Sequence, residues 1–386
     1  MLPVFFILHL LFFFTEKPLP KFEAQTIDSN ISIGYGIAVG DVDGDKKPDI
    51  LLADKKQFVW YRNGDWKRFV MIENLTENDN VCIAARDINN DGKVEVAVGA
   101  QWKPGETTDK EQSGSVHFLI RPDDPTQLWK TVKLYHEPTI HRMKWIQSEN
   151  GKYHLAVLPL HGAGNKGGEG KGVNILFYSY PALLNSAQPE YTIETNMHMT
   201  HNFDMVESKA AGGVSLYIAG KEGIRLIHSA NGDLLNKVPQ EIAGMNYGSG
   251  EIRTGKTAAN DFFITTIEPM HGNQLVIYGK NKERVLLDSN IKEGHGLACG
   301  DFLGTGHDQV VAGWRMPNKD GKVGVKIYVR KDAMGNRWES YWIDENDMAC
   351  EDLQVMDLNG DGKKDIIASG RATHNLKVYW NKSEKN

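Results

Sequence analysis

Three histidines and a glutamate stand at matching places along this chain. His141, His201, His295 and Glu351 each lie six residues ahead of a turn, at Gln147, Glu207, Asp301 and Asp357, that closes a short apolar run. Imidazole and carboxylate together suit a divalent transition metal, Mn²⁺ or Mg²⁺, with coordination positions left open. Imidazole also suits general acid–base chemistry, because it titrates near neutrality. Three further turns, at Asp41, Asp87 and Lys256, have Tyr35, Val81 and Gly250 in the same place. The apolar runs that follow the turns end in a second polar set. "LPLHG" carries His161, "EPMHG" His271, "GAQW" Trp102, "AGWR" Trp314 and Arg315, and "ASGR" Arg371 ahead of His374. Asn80, Arg142 and His198 fall beside the first set. A lone histidine at a strand end is ordinarily a hydrogen-bonded structural residue. Matched places in several units, mirrored by a second set, point instead to one functional centre.

The turns carry their own chemistry. Asp41 opens "DVDGDKKPD", Asp87 opens "DINNDGKVE" and Asp357 opens "DLNGDGKKD". Oxygens at alternate positions of a tight loop converge on one point, as a hard cation such as Ca²⁺ requires. The candidate ligands are Asp41, Asp43, Asp45 and Asp49, then Asp87, Asn89, Asp91 and Glu95, then Asp357, Asn359, Asp361 and Asp365. The last acidic residue falls at position nine and not twelve, so these are not EF-hands. The loop at Asp301, "DFLGTGHDQ", has lost most of its ligands and is expected to hold no metal. A solvated Asx turn is the plainer alternative for all of them.

The unit that positions both sets is strand, acidic turn, strand. Four copies are plain, and three degenerate ones fit between Asp87 and Asp301, at 141–162, 201–220 and 250–272. Each is followed by two further alternating runs, such as "FVWYRN" and "WKRFVMIE". Four strands repeated radially make a β-propeller blade, and seven blades close a ring without exposed edges. The last unit ends with "NLKVYWN" (375–381) and lacks a fourth strand, and "FEAQTID" (22–28) has the look of one. The fold class is therefore all-β, a seven-bladed propeller over residues 21–386 closed by its N-terminal strand. In such a ring the two polar sets surround the mouth of the central channel, on the face opposite the acidic turns.

Composition agrees. The 386 residues are 40% hydrophobic and 24% charged, with 39 glycines for the many turns. A net charge of −6 and the lack of a basic stripe argue against nucleic acid as a partner. Cys82, Cys299 and Cys350 make an odd number and read as small buried thiols. There is no nucleophile elbow, phosphate loop or dinucleotide fingerprint. "GAGNKGGEGKG" (162–172) reads as a flexible surface loop over the channel. At the N-terminus the apolar run Leu2–Phe14 is short for a membrane span, which takes about 20 residues. Residues 1–20 read as a secretory signal peptide, which makes the protein secreted or periplasmic. No Lys or Arg precedes the run and no clean small-x-small site follows it, so an uncleaved membrane anchor is the alternative.

The Asp-x-[Asp/Asn]-x-Asp turns resemble those of FG-GAP/VCBS-repeat propellers, over about 22–381. That resemblance speaks to fold more than to function. "IHRMKW", "LPLHG", "GHGLACGDFLGTGHDQVVAGWR" and "MACEDLQVMDLNGDGKKDI" resemble the propeller domain of aldos-2-ulose dehydratase, also described as 1,5-anhydro-D-fructose dehydratase. The resemblance implies elimination of water from a keto-sugar with a metal site in the propeller. The isomerisation that the fungal members' additional cupin domains serve is not implied for this chain. From the ring positions, His141, His201, His295 and Glu351 are expected to hold the channel metal, of unassigned identity among Zn, Mn and Mg. His161 or His271 is expected to move the carbon-bound proton and Tyr35 or another histidine to protonate the departing hydroxyl. Arg142, Trp102, Trp314, Arg315 and Arg371 are expected against the sugar. Two other readings stay open: a secreted carbohydrate- or protein-binding propeller without catalysis, and a polysaccharide lyase or other glycan-degrading enzyme. The oligomeric state is not read from the sequence.

Overall fold

The computed structural model describes residues 19–148, 151–208, 213–229, 234, 237–257, 261–279, 281–332, 335 and 337–384. The expected signal segment lies outside the described residues except for its last two positions. Alternating and fully apolar runs separated by Gly- and Asp-rich turns form twenty-eight strands in seven four-stranded antiparallel sheets. Strand β1 is Phe22–Asp28. The first blade is β2 (Gly36–Gly40), β3 (Asp49–Ala53), β4 (Gln57–Tyr61) and β5 (Arg68–Glu73). The second is β6 (Cys82–Arg86), β7 (Glu95–Ala100), β8 (Ser115–Ile120) and β9 (Lys130–Leu134). The third is β10 (Ile140–Gln147), β11 (Tyr153–Pro159), β12 (Asn174–Ser179) and β13 (Tyr191–Glu194). The fourth is β14 (Thr200–Ser208), β15 (Gly213–Gly220), β16 (Gly223–Ser229) and β17 (Gln240–Glu241). The fifth is β18 (Ile252–Lys256), β19 (Phe262–Glu268), β20 (Gln274–Tyr278) and β21 (Arg284–Asp288). The sixth is β22 (Gly294–Gly300), β23 (Gln309–Trp314), β24 (Gly324–Arg330) and β25 (Trp338–Glu345). The seventh is β26 (Cys350–Met356), β27 (Asp365–Gly370) and β28 (Asn375–Asn381), completed by β1, which pairs with β28 from Phe22↔Asn381 to Asp28↔Leu376.

Successive inner strands pack side by side around the ring, β2 on β6, β6 on β10, β10 on β14, β14 on β18, β18 on β22 and β22 on β26, and β26 returns to β2. The hydrophobic core is divided accordingly. Each of seven clusters joins two neighbouring blades, as where Trp60 of blade one packs with Val96 and Trp129 of blade two. The last of them joins Leu376 and Val378 of blade seven to Ile50 and Leu52 of blade one. Because each blade is covered on both faces, its second strand is mostly apolar after its first residues; β3, β7, β11, β23 and β27 are buried at every position. Burying one such Val, Leu or Ile side chain contributes about 1.5–3 kcal/mol. Among the described residues no helix is long and apolar enough to cross a membrane.

Cys82 and Cys350 are buried and Cys299 is half-buried, all three free thiols, with burial pushing each thiol up.

Candidate functional site

Four inner strands each carry one extra residue. The β10–β11 ladder pairs Ile140 with Pro159 and then Arg142 with Leu158, which leaves His141 without a partner across the strand. The same slip falls at His201 between Thr200↔Gly220 and Asn202↔Ala219, and at His295 between Gly294↔Trp314 and Gly296↔Gly313. It recurs at Glu351 between Cys350↔Gly370 and Asp352↔Ser369. A β-bulge re-aims one side chain out of the pleat and sharpens the local twist. These four bulged residues are at most 6% exposed. The inner strands β2, β6 and β18 run in regular register.

The bulges and the end of β19 gather four imidazoles. Ring centroids of His201 lie 4.6 Å from His141, 4.2 Å from His271 and 5.3 Å from His295, and His271 stacks on His295 at 4.8 Å. Ligand atoms of His201, His271 and His295 lie within 4.8 Å of one another, so this triad can hold a metal. Burial depresses the pKa of all four rings, aided at His141 by Arg142 and at His295 by Arg315. His271 falls to about 2, through burial, His201 and Arg315. Neutral rings keep a lone pair at neutral pH.

Hydrogen-bond partners assign the tautomers. His201 Nδ1 donates to the Gly250 carbonyl at 3.0 Å, and His295 Nδ1 donates to the Glu351 carbonyl. Their Nε2 atoms are then acceptors, and that of His201 is buried with no partner among the described residues. A carbonyl on the far nitrogen is the usual support of a metal-binding histidine. The donor set therefore fits a divalent metal. His141 is the opposite case. Arg142 Nη1 approaches its Nδ1 at 3.5 Å, a guanidinium can only donate, and so the proton sits on Nε2, which is buried without a partner among the described residues. His271 Nδ1 faces Arg315 Nη2 at 3.4 Å and by the same rule accepts there, so metal binding through this ring would displace Arg315 from Nδ1 or the proton from Nε2.

The carboxylate of Glu351 is occupied by Arg315, at 3.1 Å, and by Arg371, at 3.0 Å, so it faces guanidinium groups while its carbonyl serves His295. Arg315 also reaches Glu293 at 3.1 Å. Tyr35 donates to Asp79 at 3.0 Å and lies under Arg371; burial, then Asp79, raise its pKa far above the usual phenol range. Arg142 donates to the His141 carbonyl and lies 3.6 Å from Glu251. Trp102 stacks on His141 at 4.9 Å, past Gln101 at φ 59°, outside the end of β7.

Glu251 is the site residue that counting from the turns misses. It is 2% exposed, with Oε1 3.2 Å from His201 Nδ1 and Oε2 3.3 Å from Arg253 and 2.6 Å from Asn202. Burial opposes its charge, but the His201 contact, Arg253 and Arg142 outweigh it and bring the carboxyl down to about 2. The interval of six residues holds where a bulge adds one. β18 has no bulge, and the interval lands on Gly250.

Trp314 requires a correction. It is fully buried as the last residue of β23, donates from its indole to the Lys322 carbonyl at 2.9 Å and packs on Trp342 inside blade six. It is core and cannot face a sugar. His161 sits just beyond β11, its backbone bound to Thr139, its Nδ1 buried and unpartnered, and burial lowers its pKa. No ring contact joins it to the four imidazoles among the described residues. The glycine-rich stretch after it is anchored. Asn165 is 1% exposed and binds the His198 carbonyl, and its own carbonyl takes the Thr107 hydroxyl.

The acidic turns share one hydrogen-bond plan. In all four, the first aspartate accepts from the N–H of position six, at Lys46, Gly92, Gly306 and Gly362, and positions four and six have positive φ. The ninth residue, Asp49, Glu95, Gln309 or Asp365, accepts from the N–H of position two. A neutral Gln309 in the depleted loop makes the same bond, so position nine has a structural duty independent of any ion. Asp43, Asn89 and Asn359 each accept from the N–H two residues on, as Asp45, Asp91 and Asp361 do. Oxygens of Asp41, Asp43 and Asp49 converge within 4.8 Å and can hold a cation.

Comparison with known proteins follows this geometry. Residues 41–98 match the family model of the FG-GAP-like repeat. Residues 113–281 match that of the aldos-2-ulose dehydratase, beta-propeller domain. No curated protein matches the chain. Among solved structures it is similar to BBS1N in complex with ARL6DN, with TM-score 0.58, 11% identity, and 95% of this chain and 98% of that one covered. It is similar to a chain of the Mitotic Checkpoint Complex, with TM-score 0.57, 10% identity and coverage of 98% and 96%. The WD40 beta propeller domain of Doa1 gives TM-score 0.55, 8% identity and coverage of 94% and 97%. At such identities these likenesses show the fold alone. The chain is a seven-bladed β-propeller that carries an FG-GAP-like repeat and resembles the propeller domain of aldos-2-ulose dehydratase.

Proposed function

We propose that this protein is a metal-assisted hydro-lyase that eliminates water from a keto-sugar such as 1,5-anhydro-D-fructose or an aldos-2-ulose. The observation that carries the reading is the division of neutral imidazoles at one channel mouth: His201 and His295 offer lone pairs, and His141 offers an N–H. The family match over 113–281 supplies the substrate class. His201, His295 and His271 would hold a divalent ion, which when bound acts as a Lewis acid on a ketone oxygen and acidifies the neighbouring C–H. His161, neutral with a free Nδ1, takes the proton from that carbon. The released electron pair forms the C=C bond and expels the hydroxyl. His141 Nε2–H gives that hydroxyl its proton and water leaves; the imidazolate, facing Arg142, regains a proton from solvent as His161 releases its own. Tyr35 is held protonated with its hydrogen on Asp79, so its hydroxyl oxygen can only accept from a hydroxyl of the bound sugar. Arg315 and Arg371 are neutralised by Glu351 and Glu293, which favours an uncharged substrate over a uronate. Export through the N-terminal segment and calcium in the acidic turns belong to the same proposal.

The test is metal analysis of the purified protein with absorbance of the enone product in the near ultraviolet. The expected result is a transition metal beyond any calcium, and chelator-sensitive enone formation. Calcium alone, with no enone from any keto-sugar, would overturn the lyase and favour a carbohydrate-binding propeller.

A further inference from the structure

The imidazoles occupy one arc of the channel mouth. His201, His271 and His295 come from blades four, five and six, and His141 from blade three. In a ring of seven, the join of blades one and two stands across the channel from blade five. That arc carries Tyr35, which precedes β2 and lines the channel, Asp79, which precedes β6, and Trp102, which follows β7. Trp102 donates its backbone N–H to the Asp79 carbonyl at 2.9 Å and stacks on His141, whose ring neighbours His201. Tyr35 donates its hydroxyl to Asp79 Oδ2 at 3.0 Å. Asp79 Oδ1 accepts no hydrogen bond among the described residues. Lys56 Nζ stands 3.8 Å from it, beyond hydrogen-bond reach, and is spent on the Glu77 carbonyl at 2.6 Å. Asp79 is half-buried, and an ionised carboxylate only accepts. Its Oδ1 is left to take a donor from a molecule in the mouth.

We propose that Asp79 sets substrate specificity by accepting, at Oδ1, the hydroxymethyl hydroxyl of the sugar. The inference rests on the lyase reading. In a pyranose whose ketone adjoins the anomeric carbon, the ketone carbon and the carbon that bears the hydroxymethyl group are opposite members of the ring. A ketone oxygen held at the imidazole triad therefore points the hydroxymethyl group across the channel, toward blades one and two. An ionised acceptor binds a hydroxyl more strongly than a neutral one. Asp79 thereby selects a hexose-derived ketone over a pentose-derived one, which has no hydroxymethyl group. It also rejects a uronate, whose carboxylate would meet its own.

Enone formation from 1,5-anhydro-D-fructose and from its 6-deoxy analogue tests the proposal. In the native protein KM is expected to be at least about tenfold higher for the 6-deoxy analogue, the usual worth of a hydrogen bond to a charged group. In Asp79→Ala the two KM values are expected to converge, with kcat falling less than KM rises and with bound metal retained. Equal KM values in the native protein would overturn the contact, and that comparison stands even if Asp79→Ala does not fold. Discrimination kept by a folded Asp79→Ala would overturn it as well. A calorimetric titration with 1,5-anhydro-D-glucitol, which has an alcohol in place of the ketone, separates this inference from the lyase reading. Binding that Asp79→Ala loses, without enone from any keto-sugar, would overturn the lyase and support the contact. Neither turnover nor binding in the native protein would overturn both.

Discussion

Glu251 Oε1 lies 3.2 Å from His201 Nδ1, and both side chains are at most 2% exposed. One buried carboxylate thereby lies beside the nitrogen that donates to the Gly250 carbonyl, favouring a proton there, while balancing Arg142 and Arg253. Glu251→Gln keeps the shape and removes the charge. Outer-shell partners of metal-binding histidines typically change affinity by roughly 10–100-fold. The variant is expected to lose metal affinity in that range, measured by competition with a chromogenic chelator. Unfolding in denaturant should show a separate loss of about 3–5 kcal/mol, since two arginines lose a buried partner. Unchanged metal affinity in a folded variant would remove Glu251 from the site.

His141 and His201 are neighbours with opposite tautomers, and substitution should separate them. His201→Ala is expected to lose both bound metal and turnover. His141→Gln is expected to retain the metal and to lose turnover by roughly 10²–10⁴-fold, the usual contribution of a general acid. Metal content by atomic spectroscopy and enone formation on the same samples give both readings. If His141→Gln loses the metal, the ring is a ligand and the proton comes from elsewhere.

The repeat, the blade count and the closing strand could be read from the chain because each acidic turn marks the same hairpin and because 22–28 and 375–381 are complementary edges. Ring positions were legible where a bulge recurs, at His141, His201, His295 and Glu351, and not at Glu251, where none occurs. Trp102 and Trp314 looked alike in sequence. Trp102 follows a residue of positive φ beyond its strand and reaches His141, whereas Trp314 is still inside β23. A strand buried on both faces has no alternation that would tell those cases apart. The pairing of Glu351 with Arg315 and Arg371 needed three separate segments to be brought together, and no local pattern announces it.

Asp49 makes the first acidic turn pH-sensitive. Burial, partly offset by the N–H groups of Asn63 and Val42, raises its carboxyl from 3.8 to about 7. A carboxyl raised on folding contributes stability below its unfolded value, and that contribution is lost as pH rises through about 7. A cation on Asp41, Asp43 and Asp49 competes with the proton and relieves the buried charge. Calcium should therefore raise the melting temperature more at pH 8 than at pH 5, and Asp43→Ala should lessen that difference. An equal shift at both pH values would show that no ion displaces the Asp49 proton.

His117 offers the clearest acid test of the scaffold. It is 6% exposed within blade two, and neither ring nitrogen has a partner among the described residues. Burial, then Lys133 and His136, lower its pKa from 6.5 to about 4. The folded state resists a proton that the unfolded chain accepts, so the stability tied to neutral His117 is complete above about 6.5 and is lost as pH falls to about 4. At 1.36 kcal/mol per unit the loss is about 3 kcal/mol. The four channel imidazoles share this sign, so the slope of the native protein alone does not isolate His117; the difference from His117→Leu does. Guanidinium unfolding at steps between pH 7 and pH 4 should show the variant losing about 3 kcal/mol less over that range. Parallel curves would mean that the ring takes up its proton in the folded blade, against the burial that should forbid it.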